Sequence, residues 1–152
     1  MKSMALADEA ATEKLGRDLT AALPEDAGGW MILLRGELGA GKSTLARSMI
    51  HALGHEGNVP SPTYTLVEPY HLNGLAVYHV DLYRIAEASE LEFLGWSDLR
   101  DGLLLIEWPE RVEGLEAQAD VLVDLSYRGE GRNVEVSAIS GRGTVMLEAV
   151  LL

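Results

Sequence analysis

Residues 36–43 read Gly36-Glu37-Leu38-Gly39-Ala40-Gly41-Lys42-Ser43. This is G-x-x-x-x-G-K-S, the phosphate-binding loop of nucleoside triphosphatases. The motif demands a strand before it and a helix after it, and both are legible. Trp30 to Arg35 form a short apolar run that ends at Gly36, as a buried strand would. Beyond Lys42, the apolar residues Leu45, Ala46, Met49, Ile50 and Leu53 recur with helical period. Backbone N–H groups at such a turn point inward, and the helix N-terminus favours negative charge. Leu38, Gly39, Ala40, Gly41 and Thr44 are therefore expected to line a phosphate. Lys42 would reach the β- and γ-phosphates, and the Ser43 hydroxyl would bind Mg²⁺.

The 152 residues suit one domain spanning 1–152, and 47% hydrophobic content is enough for a real core. No stretch approaches the ~20 apolar residues of a membrane span. The segment from Met1 to Glu13 carries Asp8, Glu9 and Glu13 and lacks the apolar core of a signal peptide, so a cytoplasmic protein is expected. The absence of cysteine excludes disulfides, thiolate chemistry and cysteine zinc sites. Acidic residues number 24 against 12 basic ones, a net charge of −12. Nucleic-acid binders carry a basic footprint, so direct gripping of RNA or DNA across the surface is not expected. An acidic surface suits solubility or a basic protein partner.

Ala11, Leu15, Leu19, Ala22 and Leu23 share a face, so residues 5–23 are expected to be helical up to Pro24. Gly54 is the expected stop of the helix that follows the phosphate loop. Residues 58–63 read as a loop stiffened by Pro60 and Pro62. Tyr64–Tyr70 and Leu75–Tyr83 are rich in β-formers around Asn73-Gly74, a hairpin signal. Residues 87–94 suggest a short helix around Leu91 and Leu94. Leu103-Leu104-Leu105-Ile106 reads as a buried central strand. A second hairpin is expected from Asp120–Arg128 and Asn133–Ile139 about Gly129-Glu130-Gly131. Thr144–Val150 fits a last strand or a short helix. The fold expected is α/β, a three-layer P-loop NTPase type whose mixed sheet includes antiparallel hairpins.

Phosphoryl transfer also needs a metal, an oriented water and charge stabilisation. Two carboxylates stand at strand ends: Asp81 after Val77-Tyr78-His79-Val80, and Glu107 after the Leu103–Ile106 run. Each can hold Mg²⁺ directly or through water, and each can alternatively cap a turn. Thr63 sits in the proline-braced loop, where switch loops present a threonine to metal and γ-phosphate; its alternative is a turn hydroxyl. Trp108 can stack near nucleotide or fill core. His79 alternates with its strand and reads as structural. His51 and His55 show no metal-ligand pattern. Arg84 and Arg132 can stabilise phosphate charge or lie solvated.

Four segments in order then carry a resemblance: Gly36–Thr44, Ser61-Pro62-Thr63-Tyr64-Thr65-Leu66-Val67, His79-Val80-Asp81-Leu82-Tyr83-Arg84, and Ile106-Glu107-Trp108-Pro109, with Glu90–Gly95 between the last two. The chain resembles the TsaE (YjeE) family, the bacterial ATPase subunit of the tRNA threonylcarbamoyladenosine machinery, from about Asp8 to about Ile139. The resemblance implies a small ATPase, weak alone, that binds ATP or ADP with Mg²⁺. Its implied partners are TsaD- and TsaB-type proteins, the transferase subunit and its paralogue, which modify adenosine 37 of tRNA. Contact with tRNA would be indirect.

The resemblance further implies phosphate binding by Lys42, a Mg²⁺-binding hydroxyl at Ser43, and a part in hydrolysis for Asp81. Glu107 resembles the second Mg²⁺-site carboxylate. Glu9 and Thr12 match a segment near the adenine, and Arg132 matches an arginine near the nucleotide. Three positions depart from the family pattern. Glu37 replaces a more usual aspartate, Ser43 a threonine, and Pro60 stands where a lysine is common. Two other classes remain open to the residues alone: a small kinase, and a nucleotide-gated binding module without turnover.

Overall fold

The computed structural model describes residues 1–150; the last two residues of the expected 1–152 domain lie outside the described residues. Seven strands form one mixed sheet in the order β1-β7-β6-β2-β5-β4-β3. The strands are β1 (Lys2–Leu6), β2 (Met31–Gly36), β3 (Val67–Leu72), β4 (Leu75–Asp81), β5 (Leu103–Glu107), β6 (Val121–Arg128) and β7 (Gly131–Ala138). The central four, β6-β2-β5-β4, are parallel, and antiparallel strands flank them on both sides. This is the mixed α/β architecture of a P-loop fold, with both expected hairpins present.

Period-two alternation assigns the two faces. Ile32, Leu34, Leu103, Leu105, Val121, Val123 and Leu125 point to one core, shared with α1 (Glu9–Ala22), α2 (Lys42–Ala52) and α4 (Gly141–Glu148). Met31, Leu33, Leu104, Ile106 and Leu122 point to the other. That second layer is built from 3₁₀ turns, loops and the four-residue helix α3 (Trp96–Leu99) rather than long helices. Among the described residues no helix is long and apolar enough to cross a membrane.

Several boundaries differ from expectation for local reasons. The first helix begins at Glu9, not residue 5, because Asp8 caps it by accepting from the Ala11 N–H at 2.9 Å. Residues before that cap form β1, which pairs with β7; this edge strand has no apolar alternation strong enough to be read locally. Residues 88–94 are 3₁₀ rather than α, stopped at Gly95 with φ 71°. Thr144 to Glu148 of the ambiguous 144–150 stretch belong to helix α4, capped by Ser140. Asn73 and Gly74 both adopt positive φ, 53° and 82°, as a type I′ hairpin turn requires.

Candidate active site at the phosphate loop

The phosphate loop joins β2 to α2 with Gly41 as the helix N-cap at φ 113°. Glycine is required at Gly36 for space as well as conformation. A Cβ there would stand 2.6 Å from the Leu125 carbonyl oxygen of β6. The loop is pinned from outside as well. Tyr127 donates its hydroxyl to the Leu38 carbonyl at 2.6 Å, and Arg132 donates to the carbonyls of Ala40 and Gly39 at 3.2 Å. Leu38 itself is exposed.

Lys42 is buried, and its ammonium donates to the carbonyls of Gly36 and Glu37 within its own loop. Burial pushes its pKa down, opposed by the nearby negative charge of Glu107, Glu110 and Asp81. Trp108 lies over it, with the ring centroid 4.2 Å from the nitrogen. Trp108 reaches that place from a left-handed backbone, φ 59° and ψ 48°, directly before Pro109. Such a conformation is costly for a bulky residue preceding proline. The half-buried Trp108 ring both lies beside the loop and packs against the second core.

The carboxylates converge because of strand register. Asp81 pairs with Glu107 across β4 and β5, so both strand ends meet at the same level beside α2. Both are buried. The Ser43 hydroxyl lies 3.1 Å from each oxygen of Glu107. Thr63 donates to Asp81 at 3.3 Å, and the Tyr83 N–H donates to it at 2.8 Å. Burial raises the Asp81 pKa above the ordinary carboxyl value and Glu107 adds to the rise, while the Tyr83 and Thr63 hydrogen bonds oppose it.

Two adjoining clefts of about 260 and 250 Å³ share Gly39, Gly41 and Thr44. One is bounded by Asp8, Glu9, Thr12, Glu130 and Arg132; the other by Lys42, Ser43, Thr63, Asp81, Glu107 and Trp108. Among the described residues no group of three acidic, histidine or cysteine side chains makes a metal site by itself. One carboxylate and one hydroxyl beside a phosphate loop nevertheless fit Mg²⁺, which prefers a few protein oxygens supplemented by phosphates and waters.

Every residue singled out in the sequence for this site except Arg84 borders one of the two clefts. Arg84 stacks over Tyr64 at 4.6 Å and is exposed. His79, read as structural, is instead part of the cluster, its Nε2 2.5 Å from Glu107 Oε2. The signal was present: His79 is two residues before Asp81 on one strand and so shares its face. Tyr127 was also overlooked, because only the sheet brings β6 under the loop.

Comparison with known proteins agrees with this geometry. Residues 6–134 match the family described as TsaE, threonylcarbamoyl adenosine biosynthesis protein. The tRNA threonylcarbamoyladenosine biosynthesis protein TsaE of Haemophilus influenzae is 48% identical over 121 residues, covering 78% of this chain and 77% of that one. Its counterpart from Aquifex aeolicus is 33% identical over 134 residues, covering 87% and 92%. The crystal structure of YdiB from Bacillus subtilis superposes with a TM-score of 0.73 at 25% identity, covering 97% of this chain and 91% of that one. A phosphate loop on a mixed sheet, three further ordered motifs meeting around it, and relatives matched over most of their length lead to one assignment: the chain belongs to the TsaE family.

Proposed function

We propose that this chain is a Mg²⁺-dependent ATPase, a single domain over 1–152, that supports threonylcarbamoyl transfer to adenosine 37 of tRNA. Its partners in this reading are TsaD- and TsaB-type proteins in the cytoplasm, and it meets tRNA only through them. The observation that carries the ATPase reading is the meeting of Ser43 with Glu107 beside Asp81 and Lys42. The family membership and the relatives' names support the tRNA-modification role.

In this reading the loop N–H groups and Lys42 bind the phosphates, and Lys42 must exchange its loop carbonyls for phosphate oxygens. Ser43 and Glu107 hold Mg²⁺, which when bound neutralises phosphate charge during transfer. Asp81 orients the attacking water and accepts its proton; a carboxyl raised by burial is the better proton acceptor for that task. Thr63 holds Asp81 and faces the γ-phosphate end of the cleft. Glu9, Thr12 and Arg132 border the cleft for the base. Trp108 covers Lys42 and limits water access to the phosphates. The net charge of −12 suits work through protein contacts rather than on RNA itself.

The test is ATP turnover by the purified chain, alone and with its TsaD–TsaB-type pair plus tRNA. Slow hydrolysis that rises clearly in the complex is expected. Equal turnover with and without the pair would sink the coupling to tRNA modification. Nucleotide-dependent association without turnover would replace the ATPase with a binding module.

A further inference from the structure

We propose that His79 positions the Glu107 carboxylate for the Mg²⁺ of the bound nucleotide. The inference rests on the reading of Ser43 and Glu107 as that Mg²⁺ site. His79 is 1% exposed, in the middle of the core-facing row Val77-His79-Asp81 of β4. Its Nε2 lies 2.5 Å from Oε2 of Glu107. A carboxylate that binds metal is ionised and can only accept hydrogen bonds, so Nε2 must carry the hydrogen.

The other ring nitrogen, Nδ1, is buried and has no hydrogen-bond partner among the described residues. A leucine would fill the same space with no buried polar atom left over. What the imidazole adds here is a single N–H aimed at Glu107. That donor has a specific use. The terminal torsion of a glutamate is soft and does not fix the plane of its carboxyl group. The Glu107 carboxylate has two hydrogen-bonding neighbours among the described residues, the Ser43 hydroxyl and His79. When the Ser43 oxygen turns to the metal, its O–H can still donate but its direction is then set by the metal, and His79 remains as a donor that the metal does not reorient. With Oε2 held by His79, Oε1 stays directed to the space beside Ser43. Metal-binding carboxylates elsewhere are held by such partners, whose loss weakens metal affinity. His79 lines neither cleft; it acts through Glu107.

Calorimetric titration of ADP at a series of Mg²⁺ concentrations tests this, on the full chain and on His79→Leu and His79→Gln. Glutamine can place an N–H near the position of Nε2, whereas leucine cannot. The expected result is a Mg²⁺ half-point raised about 10-fold in His79→Leu and restored to within about 3-fold in His79→Gln. ADP affinity without Mg²⁺ should be the same in all three, which general damage to the fold would not allow. If the unaltered chain binds ADP independently of Mg²⁺, the metal-site reading of Glu107 fails, and the proposal with it. If Mg²⁺ matters to the unaltered chain but His79→Leu leaves the half-point in place, the His79 role alone is overturned. Should His79→Leu not fold, nitrogen-15 NMR of the unaltered chain decides. A proton on Nε2 with Nδ1 bare is expected, and the opposite tautomer overturns the proposal.

Discussion

Lys42 carries opposing demands at one atom. Its ammonium is buried, which disfavours charge, yet loop carbonyls and nearby acidic residues hold it in place. Removing it in Lys42→Ala deletes a charged hydrogen bond of about 1.5–3 kcal/mol. ADP binding should weaken about 10–100-fold by fluorescence or calorimetric titration, and unchanged affinity would remove Lys42 from the phosphate site. Asp81 should separate binding from turnover. In Asp81→Asn the Tyr83 and Thr63 contacts can persist, but the carboxylate proposed as proton acceptor is gone. Steady-state ATP turnover should fall by about 100-fold while ADP affinity stays within about 3-fold. Equal turnover would leave Asp81 as a holder of Thr63 only.

At the scale of elements, the position of α2 depends on how closely α1 can approach it. Gly16 permits this crossing: a Cβ at that position would sit 1.7 Å from the Ser48 hydroxyl and 3.2 Å from the Leu45 carbonyl. The Ser48 hydroxyl is itself bonded to that carbonyl at 2.8 Å, so it is not free to move aside without loss. Gly16→Leu should therefore overpack the crossing and destabilise the fold by about 1–3 kcal/mol in urea unfolding. Because α2 begins at Lys42 and Ser43, the same substitution should also weaken ADP binding; destabilisation with intact affinity would show that the loop tolerates movement of its helix. The α1–α2 contact thus links a glycine on the buried face of α1 to the helix that starts at the phosphate loop.

Across the whole molecule, Asp120 ties three elements together at the end of the sheet away from the site. It accepts from the Met31 N–H at the start of β2, from Ser140 at the cap of α4, and from Arg142, whose guanidinium also stacks on Trp30. Burial would raise its pKa, but the Arg142, Ser140 and Met31 hydrogen bonds outweigh burial and leave it below the ordinary carboxyl value. A depressed folded-state pKa means the stabilisation is complete above the unfolded carboxyl pKa of about 3.9 and is lost as pH falls through the lower folded value. Asp120→Asn should lower stability at neutral pH by about 1–3 kcal/mol, discounted because Arg142 is half exposed. It should also flatten the loss of stability below about pH 4. Thermal unfolding followed from pH 7 to pH 3 checks both. An acid transition identical in the two proteins would rule out Asp120 as a major contributor.

Much of this protein was legible in one dimension. The phosphate loop and the strand and helix on either side of it are local, because hydrogen bonding and side-chain period within some twenty residues decide them. The Asn73-Gly74 and Gly129–Gly131 turns were equally local, since positive φ is a property of the turn residues themselves. Asp81 and Glu107 could be read as acids at strand ends. That they lie at one level on one face could not, because the β4–β5 register is set by packing on both sides of the sheet. The pairing of β1 with β7, the Tyr127 support beneath the loop and the Asp120 tie join residues about 90 or more positions apart, except where Asp120 meets α4. His79 shows the division most clearly: its alternation placed it on the right face, but only the approach of β5 turned a core histidine into a partner of Glu107. The sequence by itself determined the chemistry that can occur in this protein. The tertiary structure decided which side chains meet to perform it, because contacts between strands distant in the chain are fixed by burial of the whole sheet and not by any local preference.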